Sequence, residues 1–114
     1  MFCQADLAAA QAALSEVHAQ GGEIIAVTSD APEVLREYAS SRGITLHLCA
    51  DPDLTVIDAF GVRHQDGRPD RPIARPAVFF VRADGTVAHS RQPENYRLHL
   101  KTQDVLDGFA MTLK

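Results

Sequence analysis

The stretch Ile73–His89 constrains this chain more than any other, because it carries a turn signal set between two β-prone runs. Pro76 stands at the mouth of the apolar run Ala77-Val78-Phe79-Phe80-Val81. Ala83-Asp84-Gly85 follows, and a second run starts at Thr86. Asp and Gly accept the positive φ that tight hairpin turns need, so the segment reads as a β-hairpin. The first strand is continuously apolar, which predicts burial on both faces. A Pro is tolerated only at such a strand's start, where no ladder N–H is lost. That position also suits a cis proline serving a tight turn beside a site.

Around the hairpin, local patterns divide the remaining chain. Leu7, Ala10, Leu14 and Val17 recur at helical spacing, and Gly21-Gly22 stops the pattern, giving a helix over about residues 4 to 20. Glu23–Thr28 is short, apolar and β-branched, as in a buried parallel strand. Asp30 is then expected to cap a second helix, with Glu33 completing a capping box and Pro32 in the first turn. Val34, Leu35, Tyr38 and Ala39 form its inner face, and Gly43 ends it. A strand is expected at about 45 to 49. Asp51-Pro52 opens a short third helix carrying Leu54, Ile57, Ala59 and Phe60, ended by Gly61.

Residues 63 to 75 read as a polar loop, as do about 91 to 99. Thr102 is the expected cap of a last helix that buries Val105, Leu106, Phe109 and Leu113. The order α β α β α β β α, with strand-helix-strand units beside a hairpin, predicts one α/β domain over residues 1–114. Its sheet is expected to be mixed, with two parallel strands plus the C-terminal hairpin.

Composition excludes several functions. Fifteen acidic against eleven basic residues give a formal charge of -4 with no basic block, which argues against nucleic acid. No apolar stretch approaches the roughly 20 residues of a membrane span, and no basic-then-apolar leader opens the chain, so a cytoplasmic protein is expected. Cys3 and Cys49 are too few for a disulfide scaffold. Histidines 18, 47, 64, 89 and 99 lack metal-ligand spacing, and no metal or organic cofactor is expected.

Three segments give the chain a resemblance. Phe2-Cys3-Gln4-Ala5-Asp6-Leu7 is one; the second joins Ile24–Asp30 to Asp51-Pro52-Asp53 and Ala59–Val62; the third is Ala74–Val81 with Asp84-Gly85. In this order they resemble the peroxiredoxin-like members of the alkyl hydroperoxide reductase and thiol-specific antioxidant group, within the thioredoxin-fold superfamily. The resemblance implies a thioredoxin-like α/β/α sandwich whose first family strand is missing, as in an N-terminally truncated member. It also implies a thiol-dependent antioxidant activity on peroxides or disulfides, with Cys3 as nucleophile at the start of the first helix. Phe2, Arg75 and Pro76 would line the site, a thioredoxin-like protein or other thiol would be the reductant, and the sheet edge that the missing strand exposes could pair as a homodimer. Two departures stand: the Trp-Cys-Pro part of a Trp-Cys-Pro-aromatic-Cys motif is absent, and Pro76 occupies a position where many peroxiredoxins carry Arg.

Each candidate residue has a plainer reading beside the chemical one. A helix N-terminus lowers a thiol's pKa and favours the reactive thiolate, yet Cys3 is also close enough to the terminus to be poorly ordered. Cys49 is a candidate resolving cysteine. The family topology, however, sets it two strands of roughly 4.8 Å from the catalytic position, beyond the ~7 Å Cα limit for a disulfide, so a buried structural thiol is expected. Arg75 is either an anion holder or a solvated loop charge, whereas Arg63, Arg68 and Arg71 either favour an acidic partner or belong to a solvated loop. Asp30 and Asp51 read as helix caps. The alternative to an enzyme is a non-catalytic redoxin-like module that keeps the fold and pairs through an exposed sheet edge.

Overall fold

A computed structural model describes residues 4–93 and 99–113. These comprise the helices α1 (Gln4–Ala19), α2 (Pro32–Arg42), α3 (Thr55–Ala59) and α4 (Thr102–Thr112). The strands are β1 (Ile25–Thr28), β2 (His47–Ala50), β3 (Arg63–His64), β4 (Ile73–Ala74), β5 (Val78–Val81) and β6 (Val87–Arg91). They form three two-stranded ladders: β1–β2 is parallel, whereas β3–β4 and β5–β6 are antiparallel. The expected parallel pair and C-terminal hairpin are therefore both present, each as a ladder of its own. Two compact units result, one built on Ile24–Arg75 and the other on Gln4–Glu23 with the described part of Pro76–Lys114.

In the first unit, β1 and β2 run in register from Ile25 opposite His47 to Thr28 opposite Ala50. The ladder is continued by the Asp51 amide, which donates to the Thr28 carbonyl at 2.7 Å. Pro32 opens α2, its fixed φ suited to a first turn, and Leu35 is the residue that α2 buries. Gly43, with φ 66°, closes the helix by donating its N–H to the Ala39 carbonyl. The expected inner-face residue Val34 is instead 43% exposed. It lies one position off Leu35, and a single step of about 100° turns a side chain off the narrow buried face of a helix.

Asp30 does not cap α2. The N-cap is Ala31, without a side-chain cap. Asp30 instead turns inward, where its carboxylate has stronger donors than a helix amide. Asp51 does satisfy a helix amide, accepting the N–H of Ile57 in α3 at 2.8 Å. The intervening turn carries Leu54 at φ 63°, the one described non-glycine residue with positive φ. That backbone costs about 1–2 kcal/mol. Leu54 is only 7% exposed, and burying its side chain offsets that cost at about 1.5–3 kcal/mol.

The stretch 63–75, expected to be all loop, contains the β3–β4 ladder, with Arg63 opposite Ala74 and His64 opposite Ile73. Gly67 permits it: a Cβ there would lie 2.7 Å from Ile73 Cδ1. Two paired residues per strand are too few to leave a period-2 pattern in the sequence.

The second unit is built on α1 and α4. Leu7, Ala13, Leu14 and Val17 are buried along α1, Val17 at 1% exposure. Gly22 lets the chain leave against α4, since a Cβ would meet Val17 Cγ1 at 2.8 Å and Phe109 Cε1 at 2.5 Å. Two polar ties fix the pairing: the Leu100 amide donates to Asp6 Oδ1 at 2.8 Å, and Thr102 Oγ1 donates to the Ala9 carbonyl at 3.2 Å. Thr102 is thus spent on α1 and does not cap α4. Lys101 is the N-cap residue, and its amide donates to Asp104 Oδ2 at 2.9 Å. Val105, Gly108 and Thr112 are the buried residues of α4, whereas Leu113, the C-cap just past the helix end at Thr112, is 55% exposed.

The hairpin β5–β6 closes as expected. Arg82 N–H donates to the Thr86 carbonyl, Gly85 has φ 91°, and Asp84 Oδ1 accepts both the amide (2.9 Å) and hydroxyl (2.7 Å) of Thr86. These bonds, the hydroxyl's first, hold the Asp84 carboxyl below its ordinary pKa. Phe80 is buried, but Val81 is 48% exposed opposite Val87 at 50%, so β5 is not covered on both faces. Its far end leads directly into the exposed turn over residues 82–86. The peptide bond before Pro76 is trans, there being no cis bond among the described residues. Trans is the lower-energy form of an X–Pro bond by about 0.5–1 kcal/mol, and Ala77 alone separates Pro76 from β5. The loop after β6 lies partly outside the described residues.

Candidate functional site

Polar groups converge where β1 and β2 end. Thr28, Ser29, Asp30 and Asp51 are each less than 9% exposed there, in a unit whose other buried residues are apolar. A buried carboxylate needs compensating donors, and Asp30 has them. Thr28 Oγ1 donates to its Oδ2 at 2.6 Å, and Arg71 Nη2 donates to its Oδ1 at 2.9 Å. In return the Asp30 amide donates to Thr28 Oγ1 at 3.1 Å. The carboxylate is 5% exposed and the guanidinium 41%, so the pair spans the boundary between interior and solvent.

Arg71 arrives on the loop that also carries Arg75. The Arg75 amide donates to the Val62 carbonyl at 2.7 Å, and its Nη2 donates to the Gly61 carbonyl at 2.8 Å. Its guanidinium is thereby held at the C-terminal end of α3, exposed, with only part of its donor set used. A planar guanidinium with spare donors can take an anionic oxygen. Nearby, Arg63 is engaged by Asp58 through two bonds of 2.7 Å. The guanidinium holds the Asp58 carboxyl below its usual pKa and is itself raised by it. Arg63 is therefore committed to α3 rather than offered to a ligand.

The sequence-expected residues fall as follows. Phe2 and Cys3 lie outside the described residues. Arg75 belongs to the first unit and Pro76 begins the second. Cys49, expected to be a buried structural thiol, is exposed and free. Side chains alternate along β2, and Cys49 shares with His47 the face turned to solvent, while Leu48 and Ala50 face the other way and are partly covered. The open groove between α2 and β2 is lined by Leu35, Ala39, Leu46 and Leu48 together with the polar Arg36 and His47, and neither Cys49 nor Arg75 lines it. Among the described residues no group of histidine, cysteine and carboxylate side chains is disposed to hold a metal, and no helix is long and apolar enough to cross a membrane.

Within this buried polar cluster the residue that sequence reasoning misassigned is Asp30. An Asp placed before Pro32 and Glu33 carries the local signature of a cap. Its true partner, Arg71, is 41 residues away and leaves no local signal.

The chain is similar to several solved structures. Enterococcus faecalis AhpC superposes with a TM-score of 0.83 at 17% identity, over 99% of this chain and 68% of that one. Mycobacterium tuberculosis AhpC gives 0.79 at 14%, over 100% and 64%. Reduced Vibrio vulnificus Prx3, solved in complex with H2O2, gives 0.79 at 14%, over 94% and 68%. The chain thus spans about two thirds of each. Identities this low establish the fold, which is the thioredoxin-like α/β fold of peroxiredoxins. No curated protein matches the chain by sequence. The family model described as the AhpC/TSA family matches residues 1–90, a span that holds every element from α1 through most of the hairpin together with Arg75 and Pro76, and so the chain belongs to the AhpC/TSA family.

Proposed function

We propose that this protein is a thiol-dependent antioxidant oxidoreductase that reduces peroxides, or disulfides, through Cys3. The observation that carries the reading is the family match from residue 1 to 90, which includes Cys3. The start of α1 at Gln4, the next residue, supports it, because unpaired N–H groups and the macrodipole at the end of a 16-residue helix favour a thiolate. The thiolate attacks one peroxide oxygen, the O–O bond breaks, and the departing alkoxide or hydroxide takes up a proton. Cys3 is left as a sulfenic acid. An external thiol condenses with it, releasing water and forming a mixed disulfide, and a second thiol restores Cys3. Arg75 supplies donors to the developing anionic oxygen, while Phe2 and Pro76 shape the site. A thioredoxin-like protein in the cytoplasm is the proposed reductant. Cys49 has the exposure a resolving cysteine needs, and its contribution is read by the same experiment.

The test is thiol-coupled peroxide consumption by the wild type, Cys3→Ser and Cys49→Ser, with the alkylation rate of Cys3 followed against pH in the Cys49→Ser background. Turnover lost in Cys3→Ser, with a Cys3 pKa below the unperturbed value of about 8.5, is expected. A peroxide-inert Cys3 with an unperturbed pKa would refute the reading.

A second reading, a non-catalytic module that pairs with a second copy through a sheet edge, is favoured by Ile25. This β1 residue is 62% exposed, as an interface strand would be before pairing. Sedimentation decides it: a dimer in the wild type that dissociates in Ile25→Lys, without thiol-dependent turnover, would replace the first reading.

A further inference from the structure

Arg75 is held by a loop whose placement is itself specified. The segment from Arg63 to Arg75 is closed at its base by the β3–β4 ladder and by the Arg75 amide on Val62. Its middle is tied elsewhere. Arg71, four residues before Arg75, reaches Asp30 at the end of β1. Thr28 orients the carboxylate by donating to the oxygen that Arg71 does not use, leaving Oδ1 directed at the loop.

We infer that the Asp30–Arg71 pair is the positioning element for Arg75: it anchors the 63–75 loop to the end of β1 so that the Arg75 guanidinium, steadied on the Gly61 carbonyl, offers its remaining donors in a fixed direction. The inference rests on the peroxidase reading for its catalytic consequence, but not for its structural content. Two features separate this role from bulk stability. The guanidinium of Arg71 is 41% exposed, and without it the Asp30 carboxylate keeps the Thr28 hydroxyl as a donor, so the loss falls first on the loop. The partner carboxylate is 5% exposed and bonded on both oxygens, so it selects one loop position rather than several. Arg71 touches no reacting atom in this scheme and acts through Arg75.

The experiment compares Arg71→Gln, Arg71→Lys, Arg75→Gln and the Arg71→Gln/Arg75→Gln double variant. Amide hydrogen exchange at Arg75, whose N–H is bonded to Val62, reports the loop. Peroxide consumption under thiol recycling reports the chemistry. In Arg71→Gln the Arg75 amide is expected to exchange at least about tenfold faster while amides of β1 and β2 keep their protection. The second-order rate with peroxide falls about tenfold, the scale on which small misplacements act. Arg71→Lys recovers part of both, and the double variant is no slower than Arg75→Gln alone, since a positioning residue has nothing left to position.

Unchanged Arg75 exchange in Arg71→Gln overturns the inference, and so does protection lost evenly across the unit. A wild type that consumes no peroxide refutes the functional reading, while the exchange result still decides the anchor.

Discussion

Replacing Gly108 by Ala sets two effects of opposite sign against each other. Gly108 lies inside α4, where Gly→Ala alone would add about 1 kcal/mol of helix stability. The structure leaves no room for the methyl group. A Cβ built there would lie 2.5 Å from Phe80 Cε1 and 2.8 Å from Cε2, with Cζ also in contact. These are ring atoms of a buried residue, not the free end of a flexible chain. The Phe80 ring cannot simply slide away, because the His89 imidazole stacks on it at 4.4 Å between centroids and 20° between planes. That imidazole is in turn bonded through Nε2 to the Gly108 carbonyl at 3.1 Å.

Overpacking of this kind costs about 1–3 kcal/mol, so the net expectation is a loss of about 1 kcal/mol, or a fall in Tm of about 4 °C for a chain of this size. Urea unfolding measures it, and an unchanged m-value would show that the denatured state is unaffected. Phe80→Leu removes the clashing ring edge. In that background Gly108→Ala should lose its penalty, giving a coupling of at least about 1 kcal/mol in the double-mutant cycle. If Gly108→Ala stabilises the protein by about 1 kcal/mol with Phe80 intact, the packing argument is refuted.

Two further predictions concern carboxylates in the first unit. Asp51→Ala should cost about 1–2 kcal/mol by leaving the Ile57 amide unpaired, whereas Asp51→Asn, which keeps an acceptor oxygen, should lose much less; equal losses in urea unfolding would count against the cap. Asp58 should titrate below the ordinary carboxylate range in carbon-detected NMR, because Arg63 holds both its oxygens, and should move up in Arg63→Gln. Since the folded pKa is the lower one, the pair's small stabilisation is present above the unfolded value and disappears as pH falls through the folded one. Identical midpoints in the two proteins would contradict this assignment.

The sequence by itself determined what depends on neighbours a few residues apart. The α1 stripe and its stop at Gly21-Gly22, the end of α2 at Gly43, and the hairpin turned at Asp84-Gly85 all follow from helical period or turn chemistry, and all are found where those rules put them. The family is legible for a related reason, since its segments are short and keep their order. What only tertiary structure decided is which face meets which partner. Asp30 looks like a cap and becomes a buried anchor because a guanidinium 41 residues away is a better partner than a helix amide. Thr102 likewise gives its hydroxyl to Ala9. Cys49 is solvated and Leu113 half exposed because burial is set by what lies across from a side chain, and no local pattern encodes that. Helical period and turn geometry act within about a turn of chain, whereas desolvation and charge pairing are settled only when distant segments meet.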